Sequence, residues 1–178
     1  MNLFEHHPAT SPEHRVDLAL RNIEFSRRYT LTLLEDLEPT DWFWQPQQSV
    51  THIAWQVGHL AMAQYGLTLF RQRGRQPVDT ELMSGSFRKK FSRGTEPNSD
   101  PAFYPSPDEI LEVFHRVHEQ MRQELSGFAE TELDEPIDEP HAAFATRFGA
   151  LLFAANHEMI HAGQIGLLRR LMGKSPVR

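Results

Sequence analysis

Apolar residues return every three or four positions in four separate stretches of this chain, and each stretch reads as an amphipathic helix with one face toward a shared core. In the first, Val16, Leu20, Ile23, Thr30, Leu31, Leu34 and Leu37 approximate the stripe, and Arg27 interrupts it. Ser11 as N-cap and Pro12 in the first turn predict its start, and its end falls near Leu37. The second runs from Ser49 to a stop at Gly74, with His52, Trp55, His59, Met62, Ala63, Gly66 and Phe70 on one face. The third opens on Ser106, Pro107, Asp108 and Glu109, a capping box with proline at N1. Its stripe is Ile110, Val113, Phe114, Val117, Met121, Leu125 and Phe128. The fourth, Thr146 to Gly173, carries Ala150, Phe153, His157, Ile160, His161, Gln164, Leu168 and Leu171. Strand signals are weak throughout. The pattern therefore predicts an all-α fold, a four-helix bundle with long crossover connections, as one domain over residues 1–178 with 1–10 as a mobile tail.

The connections are distinctive. Pro39 to Pro46 encloses Trp42, Phe43 and Trp44, read as an aromatic plug over one end of the core, with ligand stacking as the other possibility. Residues 75–105 form a long glycine- and proline-rich connection, with a short helix expected around Glu81 to Phe91, and connections of this length tend to cross over an element or cover a site. Arg88, Lys89, Lys90 and Arg93 cluster in it, either as a solvated face or as a basic lip that receives an acidic substrate. The stretch AETELDEPIDEPHAAFA is acidic and broken by proline, a linker into the last helix. Its His141 either hangs over the site or is solvated; His115 and His118 are expected at the surface, and His6 and His7 belong to the tail.

The histidines on the inner stripes carry the chemistry. His157 and His161 are separated by four residues, about 6 Å and 40° on a helix, so both imidazoles can converge on one ion. The plain alternative is two histidines satisfied inside a core, yet burying both without partners costs several kcal/mol by rough estimate. His59 lies inward in mid-helix and supplies a third imidazole. His52 is on the same face but about 10 Å further along the axis, which suits a cap or a packing role better than ligation. Three neutral histidines on a divalent ion leave an open coordination position, the arrangement of a catalytic zinc, and a water bound there would have its pKa lowered toward neutrality.

His157-Glu158-Met159-Ile160-His161 also spells H-E-x-x-H, the metalloprotease signature. Only 17 residues follow His161 and none is His, Asp or Glu, so the further ligand of a gluzincin or metzincin is missing. Glu158 points about 100° from His157, toward the helix flank, and peptidase activity is not expected. Gln164, on the stripe after His161, is a candidate to orient a ligand histidine or a bound water.

Composition narrows the partners. The chain has no cysteine, which removes disulfides, thiolate ligands and a cysteine nucleophile. A net charge of -6 argues against nucleic acid. No apolar run approaches the roughly 18 residues of a membrane span, mean hydropathy is -0.51, and MNLFEHHPAT lacks a secretory signal, so a cytoplasmic location is expected.

His59 within HIAWQVGHLAMAQ, followed by HEMIHAGQIGLLRR near the C-terminus, resembles the DinB-like superfamily of helical metal-binding proteins from roughly residue 12 to 173. The resemblance implies a four-helix bundle, a three-histidine site for zinc, nickel or a similar ion with His59, His157 and His161 as its ligands, and frequent homodimers. It also implies thiol-dependent S-transfer or isomerisation in the members with an activity. The resulting expectation is a metal-dependent enzyme acting on a low-molecular-weight thiol as S-transferase. The alternatives are a hydrolase using metal-bound hydroxide and a metal-binding stress protein without turnover.

Overall fold

The computed structural model describes residues 15–47 and 50–177, without the side chains of 139 and 140; the expected caps at Ser11, Pro12 and Ser49, and the tail with His6 and His7, lie outside them. Four long helices form the bundle: α1 (Arg15–Thr32), α2 (Ile53–Tyr65), α6 (Pro107–Leu125) and α7 (Arg147–Leu171). Three short helices lie between α2 and α6: α3 (Arg71–Arg73), α4 (Asp79–Leu82) and α5 (Gly85–Phe91). An antiparallel hairpin, β1 (Pro136–His141) and β2 (Phe144–Thr146), precedes α7. α1 packs along α7 and α2 along α6, while α2 also touches α7 and α1 touches α6. Consecutive α1 and α2 thus stand at opposite corners, which is why a long connection must join them.

The local chemistry sets the ends. α1 stops five residues before the expected Leu37, and beyond it the carbonyls find side-chain partners: Leu33 accepts from Arg169 of α7 and Asp36 from Lys174, just past the end of α7. α2 begins at Ile53, where His52 caps it: its Nδ1 accepts from the Trp55 amide at 3.0 Å. The helix runs on through a π-helical stretch, Gly66–Phe70, into α3 and closes at Gly74, whose φ of +75° is the left-handed stop expected there. Ser106 and Glu109 form the predicted capping box of α6. Thr146 caps α7 by accepting from the Gly149 amide, and Gly173 at φ +83° follows its end.

Ile23, Ile53, Leu60, Phe91, Ile110, Phe114, Met121, Leu125 and Leu151 are fully buried at the centre. Trp42 is buried in a short 3-10 turn and Phe43 and Trp44 pack beside it, so the aromatic stretch closes the core as expected. The hairpin was not expected. Among its described side chains each strand buries one apolar group, Ile137 and Phe144, too few to produce an alternating pattern.

The seam of α7 differs from the predicted stripe. Ala150, Leu151, Ala154, Ala155, Glu158, His161, Ala162, Ile165, Leu168 and Arg169 are buried, whereas Ile160 and Leu171 are more than half exposed. Four alanines let α1 approach closely, and they carry less hydrophobic signal than the isoleucine and phenylalanine that defined the expected face. Among the described residues no helix is long and apolar enough to cross a membrane.

Candidate metal centre

The rotated seam places His161 at the inner edge of α7 and His157 one turn earlier at its rim, facing His59 of α2. The ring centroids are 4.6 Å apart for His157 and His161, 5.0 Å for His59 and His161, and 5.4 Å for His59 and His157. One ring nitrogen from each lies within 4.8 Å of the others, so the three can hold a metal ion after small ring rotations. His59 and His161 are buried and His157 is partly open.

Two hydrogen bonds prepare the rings. His59 Nδ1 lies 2.8 Å from the carbonyl oxygen of Phe91, at the end of α5, where a helix leaves its carbonyls unpaired. A carbonyl only accepts, so Nδ1 carries the proton and Nε2 is the free electron pair. The Nδ1 of His161 meets Oε1 of Gln56, with the same consequence. Trp55 stacks on the His59 ring at 4.7 Å and 7°, and its Nε1 donates to Thr95 at 2.9 Å, fixing the wall behind the site. Phe153 lies 5.7 Å from His157 and 5.3 Å from His141 of the hairpin, forming the opposite wall.

Burial keeps the rings neutral, the form that ligates. It lowers His161 to about 3, with His157 and His59 adding repulsion, and His157 to about 4, with His59 and His141 adding theirs. His59 is lowered by burial as well, against the pull of the Phe91 carbonyl, and Arg93 contributes in the same sense as burial.

The remaining candidates distribute differently. His52 is fully buried against Phe43 and Tyr104 as a cap, away from the three histidines. His118 corrects the expectation of exposure: it is buried, accepts at Nδ1 from Gln64 at 3.0 Å, and its Nε2 lies 3.4 Å from Glu24. His115 is exposed as expected. Glu158 is not on the flank but buried against Arg27, whose Nε donates to it at 2.9 Å. Its partner is the arginine that interrupts the first apolar stripe. The basic cluster does not gather into one lip: Arg88 lies over the Tyr65 ring at 5.1 Å, Lys90 over Phe103 at 3.8 Å, and Arg93 is the member whose charge His59 feels. Gln164 is exposed and reaches His161 only through Gln56, whose Nε2 donates to it at 2.8 Å. Sequence reasoning missed Gln56, although it lies three residues before His59, near the same helical face.

A helical bundle with three inward histidines on two facing helices defines a class of candidate metal proteins. The sequence profile of the DinB superfamily matches residues 22–165, which include all three histidines, and the chain belongs to that superfamily. A crystal structure described as a conserved protein of locus from Enterococcus faecalis is similar in fold, with a TM-score of 0.64 at 17% identity, over 89% of this chain and 98% of that one. No curated protein matches the chain.

Proposed function

We propose that His59, His157 and His161 bind one divalent ion, zinc or nickel, and that the protein is an S-transferase for a low-molecular-weight thiol. The observation that carries this is the donor set. Three neutral imidazoles leave the ion's double charge uncompensated, and Glu158, the carboxylate beside His157 in sequence, is already neutralised by Arg27. Such a centre favours an anionic ligand. When bound, the ion supplies the positive charge that stabilises a thiolate near neutral pH. The chain's own residues do the rest. The Phe91 carbonyl and Gln56 hold two Nε2 atoms toward the centre, Trp55 and Phe153 wall it against water, and Arg93 draws in the carboxylates such thiols usually carry. With no cysteine in the chain, the sulfur nucleophile must come with the substrate. Its sulfur bonds to the electrophilic carbon of the second substrate as that carbon's bond to its leaving group breaks; the leaving group takes the electron pair, and the thiol proton goes to solvent.

Protein purified without a metal-affinity column should carry about one equivalent of ion, and His59→Ala and His161→Ala should carry little. Calorimetry should then show a thiol such as glutathione, bacillithiol, mycothiol or coenzyme A binding the metal-loaded protein and not the metal-free one. Full metal content in either alanine variant would sink the ligand assignment. Retained metal with no thiol bound would sink the transferase reading alone.

A further inference from the structure

Gln56 is 1% exposed and stands on the flank of α2 that faces α7. Its carboxamide links three groups: Oε1 meets Nδ1 of His161, while Nε2 donates to Oε1 of Gln164 at 2.8 Å and to the hydroxyl of Thr51. An amide oxygen only accepts and an amide nitrogen only donates, so the orientation of this one group decides which nitrogen of His161 bears hydrogen. With the oxygen toward the ring, Nδ1 donates and Nε2 keeps its electron pair. Reversed, Nδ1 would have to accept, Nε2 would carry the hydrogen, and the ring could not ligate through it. In the structure the nitrogen side of the carboxamide faces oxygen atoms of Thr51 and Gln164, which leaves Oε1 for the His161 ring.

We infer that Gln56 is the positioning residue of His161: it holds the ring in the Nδ1–H tautomer and in the rotation that presents Nε2 to His59 and His157, with Thr51 and Gln164 as its anchors. This rests on the three histidines being the ligands. His59 receives the same service from a main-chain carbonyl, so Gln56 is its side-chain counterpart and is open to substitution. Gln164 is exposed and its amide can turn toward water, so its share is the smaller one.

The test uses zinc, a chelator competition at fixed pH, and ring nitrogen-15 spectra of the metal-free protein. Gln56→Leu should weaken zinc binding by roughly 10- to 100-fold and shift His161 from the Nδ1–H form to a mixture. Gln56→Glu, whose carboxylate only accepts, should keep the Nδ1–H form of His161 while losing the donor that bonds Thr51 and Gln164. Gln164→Ala should lose only a few-fold. A residue that merely packs would leave the nitrogen spectrum unchanged in both Gln56 variants. Parent-like affinity and spectrum in Gln56→Leu would overturn the inference, as would loss of the Nδ1–H form in Gln56→Glu, which stays informative even if the leucine variant fails to fold. His161→Ala separates the two readings. If it too retains zinc, the ligand assignment fails; if it loses zinc while Gln56→Leu does not, only the role of Gln56 fails.

Discussion

Gly58 sits in mid-α2 in ordinary helical geometry, and what it contributes is room. A Cβ at that position would lie 2.5 Å from the ring of Phe91, which is fully buried. Helix propensity alone predicts that alanine gains about 1 kcal/mol there. Overpacking opposes it with about 1 to 3 kcal/mol, and the ring that must move belongs to the residue whose carbonyl holds His59. Gly58→Ala should therefore lower the melting temperature and weaken zinc binding together. Gly163→Ala, whose Cβ would meet nothing within 4 Å, should be neutral or stabilising. An unchanged zinc affinity in Gly58→Ala, measured by the same competition, would show that α5 does not transmit to the site. Residue by residue, the three histidines were legible because their four-residue spacing and their place among apolar neighbours are local properties. Gly58 and the Phe91 carbonyl were not, since a close approach between α2 and α5 leaves no trace in either segment alone.

At the scale of the element, α7 teaches the most. Its start, its end and its two histidines could be read, but its inner face was displaced because alanines count for little and charges count as outward. Arg27 and Glu158 are 2% and 3% exposed. The guanidinium also donates to Gln64 Oε1 at 2.7 Å and to the Phe114 carbonyl at 2.9 Å, and lies 3.3 Å over the Phe114 ring. Charges so enclosed are costly to separate. Glu158→Gln and Arg27→Met should each destabilise by about 3 to 5 kcal/mol, since each leaves the other charge buried and unpaired. The double variant Arg27→Met with Glu158→Leu should cost clearly less than the sum of its parts. Additive losses in urea titrations would mean that the two residues act independently. The same pairing keeps the glutamate of H-E-x-x-H from serving as a base, a stronger reason than its angle on the helix.

Taken whole, the molecule is a bundle whose helices were legible from their periodicity and whose walls were not. The hairpin and the arrangement of the 75–105 connection depend on contacts between segments separated in sequence: Phe148 with Leu133 on either side of the hairpin, Trp55 with Thr95, and, just before the connection, Arg73 with Glu124. A property of the whole follows from its buried histidines. Burial lowers His118 to about 3, with Arg27, Arg122 and His115 adding to it; Glu24, 3.4 Å from its Nε2, is paired with Arg122 at 2.9 Å. Burial likewise puts His52 at about 4, in line with His157 and His161. Unfolded, each titrates near 6.5. Below that pH the unfolded chain takes up protons that the folded one refuses. The stability these groups contribute is thus fully present above about 6.5 and lost as pH falls toward 3 to 4. The urea midpoint of metal-free protein should be flat from pH 8 to 7 and fall steadily from 6.5 to 4; a constant midpoint across the whole range would contradict the buried, neutral assignment.

The carbonyl that orients His59 belongs to α5, a seven-residue helix in the crossover, and not to the bundle itself. Short segments of this kind open more often than the core they cover. Each opening frees the imidazole to rotate and to exchange its proton. If the three histidines hold an ion, its lifetime there would depend on the breathing of the crossover as well as on the strength of the nitrogen bonds. Two proteins with identical histidines and different connections here would load and release metal on different clocks.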